Sequence, residues 1–290
     1  MSTLWQNIQY KMLKSGSRAN LLIGINVLIF LQVYVPATIE QLYRGFGNSI
    51  ILAYTDEYLK MPAYLPKLLI RFWTPLTYMF MHAGFFHILF NMLWLYFMGQ
   101  IFEEYLGNKR TIGLYILGGL TGALFFIGAY NIFPAFSGYI AGSTIVGASA
   151  GVMAVIIATA TLLPDYTISL ILIGPVKLKW IAIFYLVIDF LGVVGPNAGG
   201  EFSHLGGALF GFVYIKQLQR GHDWIGAMTG IFKSGSKLKV ASKNSNKNSS
   251  SKPRQDEIDR ILDKISQTGY ESLNKQEKEL LFRASKDNEG

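Results

Sequence analysis

The sequence predicts an all-α, polytopic membrane protein, and three observations carry this prediction. Apolar residues make up 51% of the 290 residues and the mean hydropathy is +0.32, which is beyond the usual range of soluble proteins. Apolar runs recur between residues 21 and 219, and since roughly 20 apolar residues cross a bilayer as a helix, about six spans fit. The net charge of +8 comes from basic residues in short connections and in a tail, which indicates membrane orientation and argues against nucleic acid as a partner.

Six transmembrane helices are predicted from these runs, at residues 19–34, 85–102, 111–130, 149–163, 180–194 and 204–218. The segment at 36–76 is rich in aromatic residues and Pro, and we expect it to form a long loop in the outer interface. The inner connection at 166–178 contains Pro175, and an extended conformation would suit it. The outer loops at 131–145 and 195–202 carry no Lys or Arg, whereas the inner connections do, so the positive-inside rule places both termini in the cytoplasm.

The predicted domain organisation has four segments, which are a cytoplasmic amino terminus at 1–18, a six-span domain at 19–220, a basic linker at 221–255 and a helical cytoplasmic tail at 256–290. The linker is predicted to be disordered, and its basic residues either contact anionic lipid or form a soluble spacer. In the tail, helical spacing from Ile258, a stop at Gly269 and the capping pair Asn274 and Glu277 predict a small helical hairpin.

Polar residues open three of the predicted spans. His87 and Asn91 are four residues apart on one face of the second span, Ser149 opens the fourth and His204 opens the sixth. These spans all begin at the outer face in the predicted topology, so the four residues share one depth. His82 falls just before the second span and off the face of His87. We therefore expect these stretches to form one site.

A serine at a helix start with a histidine in reach can act as a nucleophile with its general base, and this pair does not require a carboxylate. Backbone N–H groups at the helix start and the side chains of His87 and Asn91 would donate hydrogen bonds to the oxyanion. The fourth span is roughly 22 Å long against a core of about 30 Å, so Ser149 would lie below the outer surface. We expect two glycine pairs to let spans four and six pack closely, Gly147 with Gly151 and Gly207 with Gly211.

Each of these residues also has a purely structural interpretation. Ser149 can be a helix cap, His87 and Asn91 can join neighbouring helices, and the glycines can serve packing alone. A zinc site is not expected, because no acidic residue accompanies the histidines in the sequence and no two of them are four apart. No other cofactor is expected. Asp189, within the fifth span, lies either in a hydrated interior or at the outer interface.

Over about residues 19–220 the sequence resembles the rhomboid intramembrane serine proteases of the bacterial six-span type. Residues 82–91 are similar to the family's His-x4-His-x3-Asn motif, 147–149 to its Gly-x-Ser motif, and 204–211 to its sixth span, in which a histidine is followed by small residues. The resemblance implies a catalytic dyad of Ser149 and His204, oxyanion donors at His87 and Asn91, and a structural acid at Glu103. It also implies a protease of the cell inner membrane that opens to the outer side and cleaves transmembrane segments of other membrane proteins.

Three positions depart from the family pattern. Ala150 stands where Gly usually follows the serine, Met153 where Tyr is frequent, and Trp73-Thr74 where the loop motif has Trp-Arg. An alternative prediction is therefore a catalytically dead rhomboid-like protein that binds transmembrane clients. A transporter is a third, disfavoured because no inverted repeat is evident.

Overall fold

The computed structural model of the chain describes residue 3 and residues 16–170, 173–231 and 255–286. This part is mainly helical, and its helices are α1 (Arg18–Tyr43), α2 (Ile50–Tyr58), α3 (Leu65–Ile70), α4 (Thr74–Thr77), α5 (Phe85–Leu106), α6 (Thr111–Ile132), α7 (Ser149–Leu162), α8 (Leu178–Gly192), α9 (Ala198–Gln219), α10 (Trp224–Ile231), α11 (Gln255–Thr268) and α12 (Lys275–Lys286). Two short antiparallel pairs join β1 (Met61–Pro62) to β2 (Thr144–Ile145) and β3 (Thr167–Leu170) to β4 (Gly174–Lys177). The chain divides into two compact units, Met1–Ser234 and Gly235–Gly290.

The larger unit is a membrane-embedded helical bundle. Among the described residues, three helical segments are long and apolar enough to cross a bilayer, namely Arg18–Tyr43, Phe85–Leu106 and Asn108–Ile132. Helix α7 is a shorter apolar helix in the middle of the bundle, in contact with α5, α6, α8 and α9. Its residues from Ala150 to Ala160 are all buried. A helix that is apolar on every face and buried on every face belongs to the interior, so α7 forms the core around which the others pack.

The first span extends further than predicted. Helix α1 begins after Ser17, whose side chain accepts the N–H of Asn20, and continues through Pro36 to Tyr43 instead of ending near residue 34. Proline is tolerated inside membrane helices because neighbouring groups compensate for the lost hydrogen bond. Glu40, near the end of α1, accepts hydrogen bonds from the Ser49 hydroxyl at 2.6 Å and the Ile50 N–H at 3.0 Å, and so joins α1 to the start of α2.

The segment at 36–76 is not the continuous loop that the sequence predicted. It contains the end of α1, then α2 and α3, and the start of α4, and strand β1 pairs with β2 from the distant 131–145 connection. Trp73 holds the segment together, since its indole N–H donates to the Tyr58 carbonyl at 2.8 Å. These short helices looked like a loop in the sequence because none of them is long enough to give a clear period.

The connection between α7 and α8 is extended, as the sequence indicated. Strands β3 and β4 form an antiparallel hairpin in which Thr167 pairs with Lys177 and Leu170 with Gly174. Asp165, just before the hairpin, accepts the Lys179 ammonium at 2.8 Å and the Lys177 ammonium at 3.0 Å. These two hydrogen bonds lower the pKa of the Asp165 carboxyl.

The last two helices of the bundle begin earlier than predicted. Helix α8 runs from Leu178 to Gly192, and α9 from Ala198, so His204 lies almost two turns inside α9 instead of at its start. The residues before His204 looked like a loop because they contain Gly199 and Gly200. They are helical because Gly199 packs tightly, and a Cβ there would lie 2.9 Å from the Phe126 ring.

The smaller unit contains two helices, α11 and α12, in the stretch where the sequence predicted a helical hairpin. Gly269, at φ +79°, ends α11, and before α12 the Glu277 N–H donates to Asn274 Oδ1 at 2.8 Å while the Asn274 N–H donates to Glu277 Oε2 at 2.8 Å. This is the reciprocal capping pair that the sequence indicated. The predicted disordered linker at 221–255 is wrong in its first part, where α10 forms, and its remainder at 232–254 lies outside the described residues.

Candidate active site

A cavity of about 490 Å³ brings together the polar residues that open the predicted spans. Ser149, at the first position of α7, and His204, on α9, line it with His87 and Asn91 of α5. The rest of its wall is mostly apolar, with Phe86, Phe90, Trp94, Val146, Val152, Met153, Ile156, Tyr185 and Ile188. Residues that lie far apart in sequence therefore face one cavity of the bundle.

Gly147 lies close to the His87 ring beside this cavity. Gly147 has φ +131°, a backbone conformation that favours glycine, and its N–H donates to the Tyr78 carbonyl at 2.9 Å. A Cβ at Gly147 would lie 2.8 Å from His87 Nε2 and 3.5 Å from Ser149 Oγ. The absence of a side chain at position 147 thus lets the imidazole approach the backbone that leads into Ser149.

Hydrogen bonds on α5 determine which groups can donate into the cavity. The Ala83 N–H donates to His87 Nδ1 at 3.2 Å, so the neutral ring carries its proton on Nε2, the atom that faces Gly147. Asn91 Nδ2 donates one of its two hydrogens to the His87 carbonyl at 2.8 Å. His87 Nε2–H is therefore available as a donor, whereas half of the donor capacity of Asn91 is already used.

Ser149 lies at the open amino-terminal end of α7. The first hydrogen bond of this helix runs from the Val152 N–H to the Ala148 carbonyl at 2.9 Å, so the N–H groups before Val152 lack a partner within the helix. Together with the helix dipole they favour negative charge next to Ser149 Oγ. Within the described part of the chain Ser149 and His204 face the same cavity without a direct hydrogen bond, as is frequent in free active sites.

Two carboxylates lie beside His204, and sequence reasoning did not assign either of them to it. Asp189 Oδ1 is 3.0 Å from His204 Nδ1, and Glu201 Oε2 is 3.5 Å from the same atom. Asp189 is 3% exposed, so its carboxylate lies inside the protein and not at the outer interface. The sequence contained two signals for these contacts. Asp189 is a charged residue in an apolar span, and Glu201 is an acid three positions before His204.

These three residues also correct the sequence argument about metals. Ligand atoms of Asp189, Glu201 and His204 all lie within 4.8 Å of one another, so an acidic pair does accompany a histidine. The group has a donor set that a divalent cation accepts. His204 has a hydrogen-bond partner without a cation, because its Nδ1–H can be donated to Asp189.

Glycines allow the helices that carry Ser149 and His204 to approach closely. Gly207 and Gly211 on α9 lie against the backbone carbonyls of Ala150 and Ala154 on α7, where any Cβ would clash. The expectation for the pair Gly147 and Gly151 is wrong. Gly147 lies against the His87 ring of α5, and Gly151 faces α6, where a Cβ would lie 2.7 Å from the Tyr115 carbonyl oxygen. The close packing of α7 thus involves two neighbouring helices instead of one.

The remaining predicted residues lie outside the cavity. His82 is buried and lines a separate cavity of about 180 Å³, with its ring centroid 5.3 Å from that of His87. Glu103 Oε1 accepts the N–H groups of Arg18 at 2.9 Å and Ala19 at 2.8 Å and the Thr111 hydroxyl at 2.8 Å. One carboxylate oxygen therefore caps α1 and connects it to the start of α6.

Comparisons with known proteins agree with this architecture. Residues 70–220 match the Rhomboid domain family, and residues 243–287 match DUF6576, a family of unknown function. The chain is 29% identical over 160 residues to RHOMBOID-like protein 12, mitochondrial, of Arabidopsis thaliana, which covers 52% of this chain and 48% of that protein. It is 36% identical over 55 residues to Rhomboid protease GlpG of Salmonella newport, which covers 19% of this chain and 20% of that protein. The chain thus spans about half the length of the first relative and about a fifth of the second.

Proposed function

The chain belongs to the rhomboid family, and from this premise we propose that it is an intramembrane serine endopeptidase that cleaves transmembrane segments of other membrane proteins. One observation carries the proposal. Ser149, at the open end of α7, shares a mostly apolar cavity with His204 and with the Nε2–H of His87. A nucleophile, a base and an oxyanion donor are the groups that acyl transfer requires.

The proposed reaction follows from these positions. His204 Nε2 takes the hydroxyl proton as Ser149 Oγ attacks the scissile carbonyl carbon, and the resulting oxyanion is held by the free N–H groups of α7 and by His87 Nε2–H. His204 then returns the proton to the leaving amine, which leaves an ester on Ser149. Water, activated by His204, attacks this ester and releases the second product.

The position of Ser149 in the cavity limits the form in which a substrate can react. The peptide bond that is cut has to reach Ser149 inside this cavity of about 490 Å³. Within an intact α-helix the carbonyl of that bond is hydrogen-bonded and covered by the helix, so the substrate is proposed to unwind at the bond that is cut. Trp94 of α5 and Tyr185 of α8 meet edge to face at 5.5 Å on the cavity wall and would have to part for lateral entry.

We also propose that α1, α5, α6, α7, α8 and α9 are six membrane spans, with both termini in the cytoplasm of a bacterial cell and the cavity open to the outer side of the inner membrane. The basic residues of the inner connections support this orientation. Reporter fusions in the loops at 131–145 and 166–178 test it, because the two loops must report from opposite sides. Cell fractionation identifies the membrane in which the protein resides. The name of one relative states a mitochondrial location for that protein, and the same location for this chain would overturn the bacterial assignment.

Cleavage of a model transmembrane substrate by the purified chain in lipid tests the proposed chemistry. We expect wild type to cut within or near the span and to be labelled at Ser149 by a fluorophosphonate, and we expect Ser149→Ala and His204→Ala to lose at least ~10³-fold in rate with unfolding midpoints close to wild type. EDTA should leave the rate unchanged.

Cleavage that survives in Ser149→Ala would overturn the mechanism. If neither wild type nor the variants cut a substrate that a known intramembrane protease accepts, the chain is instead a client-binding rhomboid-like protein.

A further inference from the structure

We propose that Asp189 is a positioning residue, which orients His204 for its part in the proposed Ser149 and His204 dyad. The proposal rests on the proposed serine protease function and deepens it. Asp189 Oδ1 lies 3.0 Å from His204 Nδ1, which is hydrogen-bond distance for a ring N–H donating to a carboxylate.

Burying the Asp189 carboxylate costs free energy unless its contact with His204 compensates for the lost hydration. The residue is 3% exposed, within an apolar helix, and its second carboxylate oxygen is buried without a hydrogen bond among the described residues. It also lies in the last turn of α8, where the negative end of the helix dipole disfavours a carboxylate. Neither burial nor the local helix favours an acid here, so the contact with His204 is the interaction that explains it.

Glu201 differs from Asp189 in this respect, although both face the same ring nitrogen. It lies in the first turn of α9, where the dipole favours an acid, and it accepts the Asn197 side-chain amide at 3.1 Å. It also packs over Gly192, since a Cβ there would lie 2.9 Å from Glu201 Cγ. Its distance to Nδ1 is the longer one, 3.5 Å. Glu201 thus has a local reason for its place, which is to join the end of α8 to the start of α9.

The contact with Asp189 would act on His204 in two ways. A carboxylate that accepts the Nδ1–H leaves the lone pair on Nε2, which is the atom required to take the proton of Ser149. The same negative charge stabilises the imidazolium that forms when the proton is taken. An asparagine at position 189 keeps the size of the side chain but removes the charge, and it can present an amide N–H that favours the opposite tautomer.

The test measures kcat and KM for cleavage of a transmembrane substrate in lipid, with rates normalised to the folded fraction of each variant. We expect Asp189→Asn to lower kcat by ~10²-fold or more with KM changed less than about threefold, and fluorophosphonate labelling of Ser149 to slow in parallel. Asp189→Glu, which keeps the charge, should recover part of the loss. Asp165→Asn, the same substitution at an exposed acid outside the cavity, is the matched control and should keep kcat within about fivefold of wild type.

The outcomes separate this inference from the proposed function. If wild type cuts and Ser149→Ala does not, but Asp189→Asn has a kcat equal to or above that of wild type, the positioning role is refuted and the protease assignment stands. If Asp189 has only a structural role, Asp189→Asn and Asp189→Glu will both yield less folded protein. The protein that does fold will then cut at the wild-type rate, and the positioning role is refuted. If wild type itself is neither active nor labelled, it is the proposed function that has failed.

Discussion

Gly147 occupies a restricted position near the proposed active site. Its φ of +131° is strained for any residue with a side chain, and the His87 ring fills the space that a Cβ would need. Adding one methyl group would therefore displace either the ring or the backbone that leads into Ser149. Both belong to the proposed oxyanion site.

We expect Gly147→Ala to lower kcat by ~10²-fold, about the effect of losing one oxyanion donor, with a smaller change in KM. The rate of substrate cleavage in lipid measures this effect. Gly142→Ala is the matched control from the same connection, because its Cβ would enter open space and its φ is ordinary. A Gly147→Ala variant with wild-type kcat would show that the contact with His87 has no catalytic importance.

Arg71 shows how a residue near an altered motif can keep a structural role. The sequence has Trp73-Thr74 where the family resemblance implied Trp-Arg, but Arg71 lies two positions before Trp73. Its guanidinium contacts the Glu57 carboxylate and lies 4.8 Å from the centre of the Tyr58 ring. The hydrogen bond from Arg71, followed by that from Lys67, lowers the pKa of Glu57. Arg71 thus connects α2 to the segment before α4.

At the scale of helices, the approach of α9 to α7 depends on Gly207. Its Cα lies against the Ala150 carbonyl, directly after Ser149, so the separation of the two helices also sets the separation of Ser149 and His204. A change at Gly207 should therefore affect stability and activity together.

We expect Gly207→Ala to lower the free energy of unfolding by about 1–3 kcal/mol, the usual cost of overpacking, and to lower kcat in the variant that remains folded. Thermal unfolding in detergent and the cleavage assay measure the two effects. Gly128→Ala on α6 is the matched control, since its Cβ would meet only the tip of Ile132 at 4.0 Å. Equal unfolding midpoints for both variants would disprove close packing at Gly207.

A second link between elements lies outside the spans, where Arg110 after α5 pairs with Asp223 after α9 at 2.7 Å. Burial opposes ionisation of Asp223, but hydrogen bonds from Arg110, the Gly226 N–H and the Tyr214 hydroxyl prevail and lower its pKa. A lowered pKa in the folded state means that the stabilisation is present at neutral pH and is lost as the pH falls through the folded pKa.

Asp223→Asn should accordingly reduce the unfolding midpoint at about pH 7, by an amount that corresponds to about 1 kcal/mol, and have a smaller effect near pH 3, which lies below the usual pKa of an aspartate. Thermal unfolding of wild type and variant at both pH values measures the difference. Glu104→Gln, an exposed acid near the same side of the bundle, is the control and should show no such pH-dependent difference. If the unfolding midpoint of Asp223→Asn is below that of wild type by the same amount at both pH values, the ion-pair explanation is contradicted.

At the scale of the molecule, every proposed catalytic group lies in the compact unit Met1–Ser234. The second unit carries the helical hairpin and the match to a family of unknown function. We expect a chain that ends at residue 234 to keep cleavage of the model substrate within about threefold of full length, because no helix of the cavity wall is removed. A loss of cleavage with the bundle still folded would assign the tail a part in catalysis.

The sequence by itself determined the membrane class, the approximate places of the long apolar helices, the hairpin of the tail and the family motifs around Ser149, His204, His87 and Asn91. It could do so because hydropathy, helical period and short motifs are local properties. The sequence also predicted that these four residues meet in one site, because alternate spans begin at the same face of a membrane.

Only the tertiary structure showed that Asp189 contacts His204, that α9 begins before His204 and that residues 36–76 fold into short helices. Asp189 and His204 are 15 positions apart on two helices, and their contact depends on where α8 ends and how closely α9 packs beside it. Gly199 is helical because Phe126, from another helix, covers it. Such contacts arise from packing between distant segments, for which no spacing along the chain gives a signal.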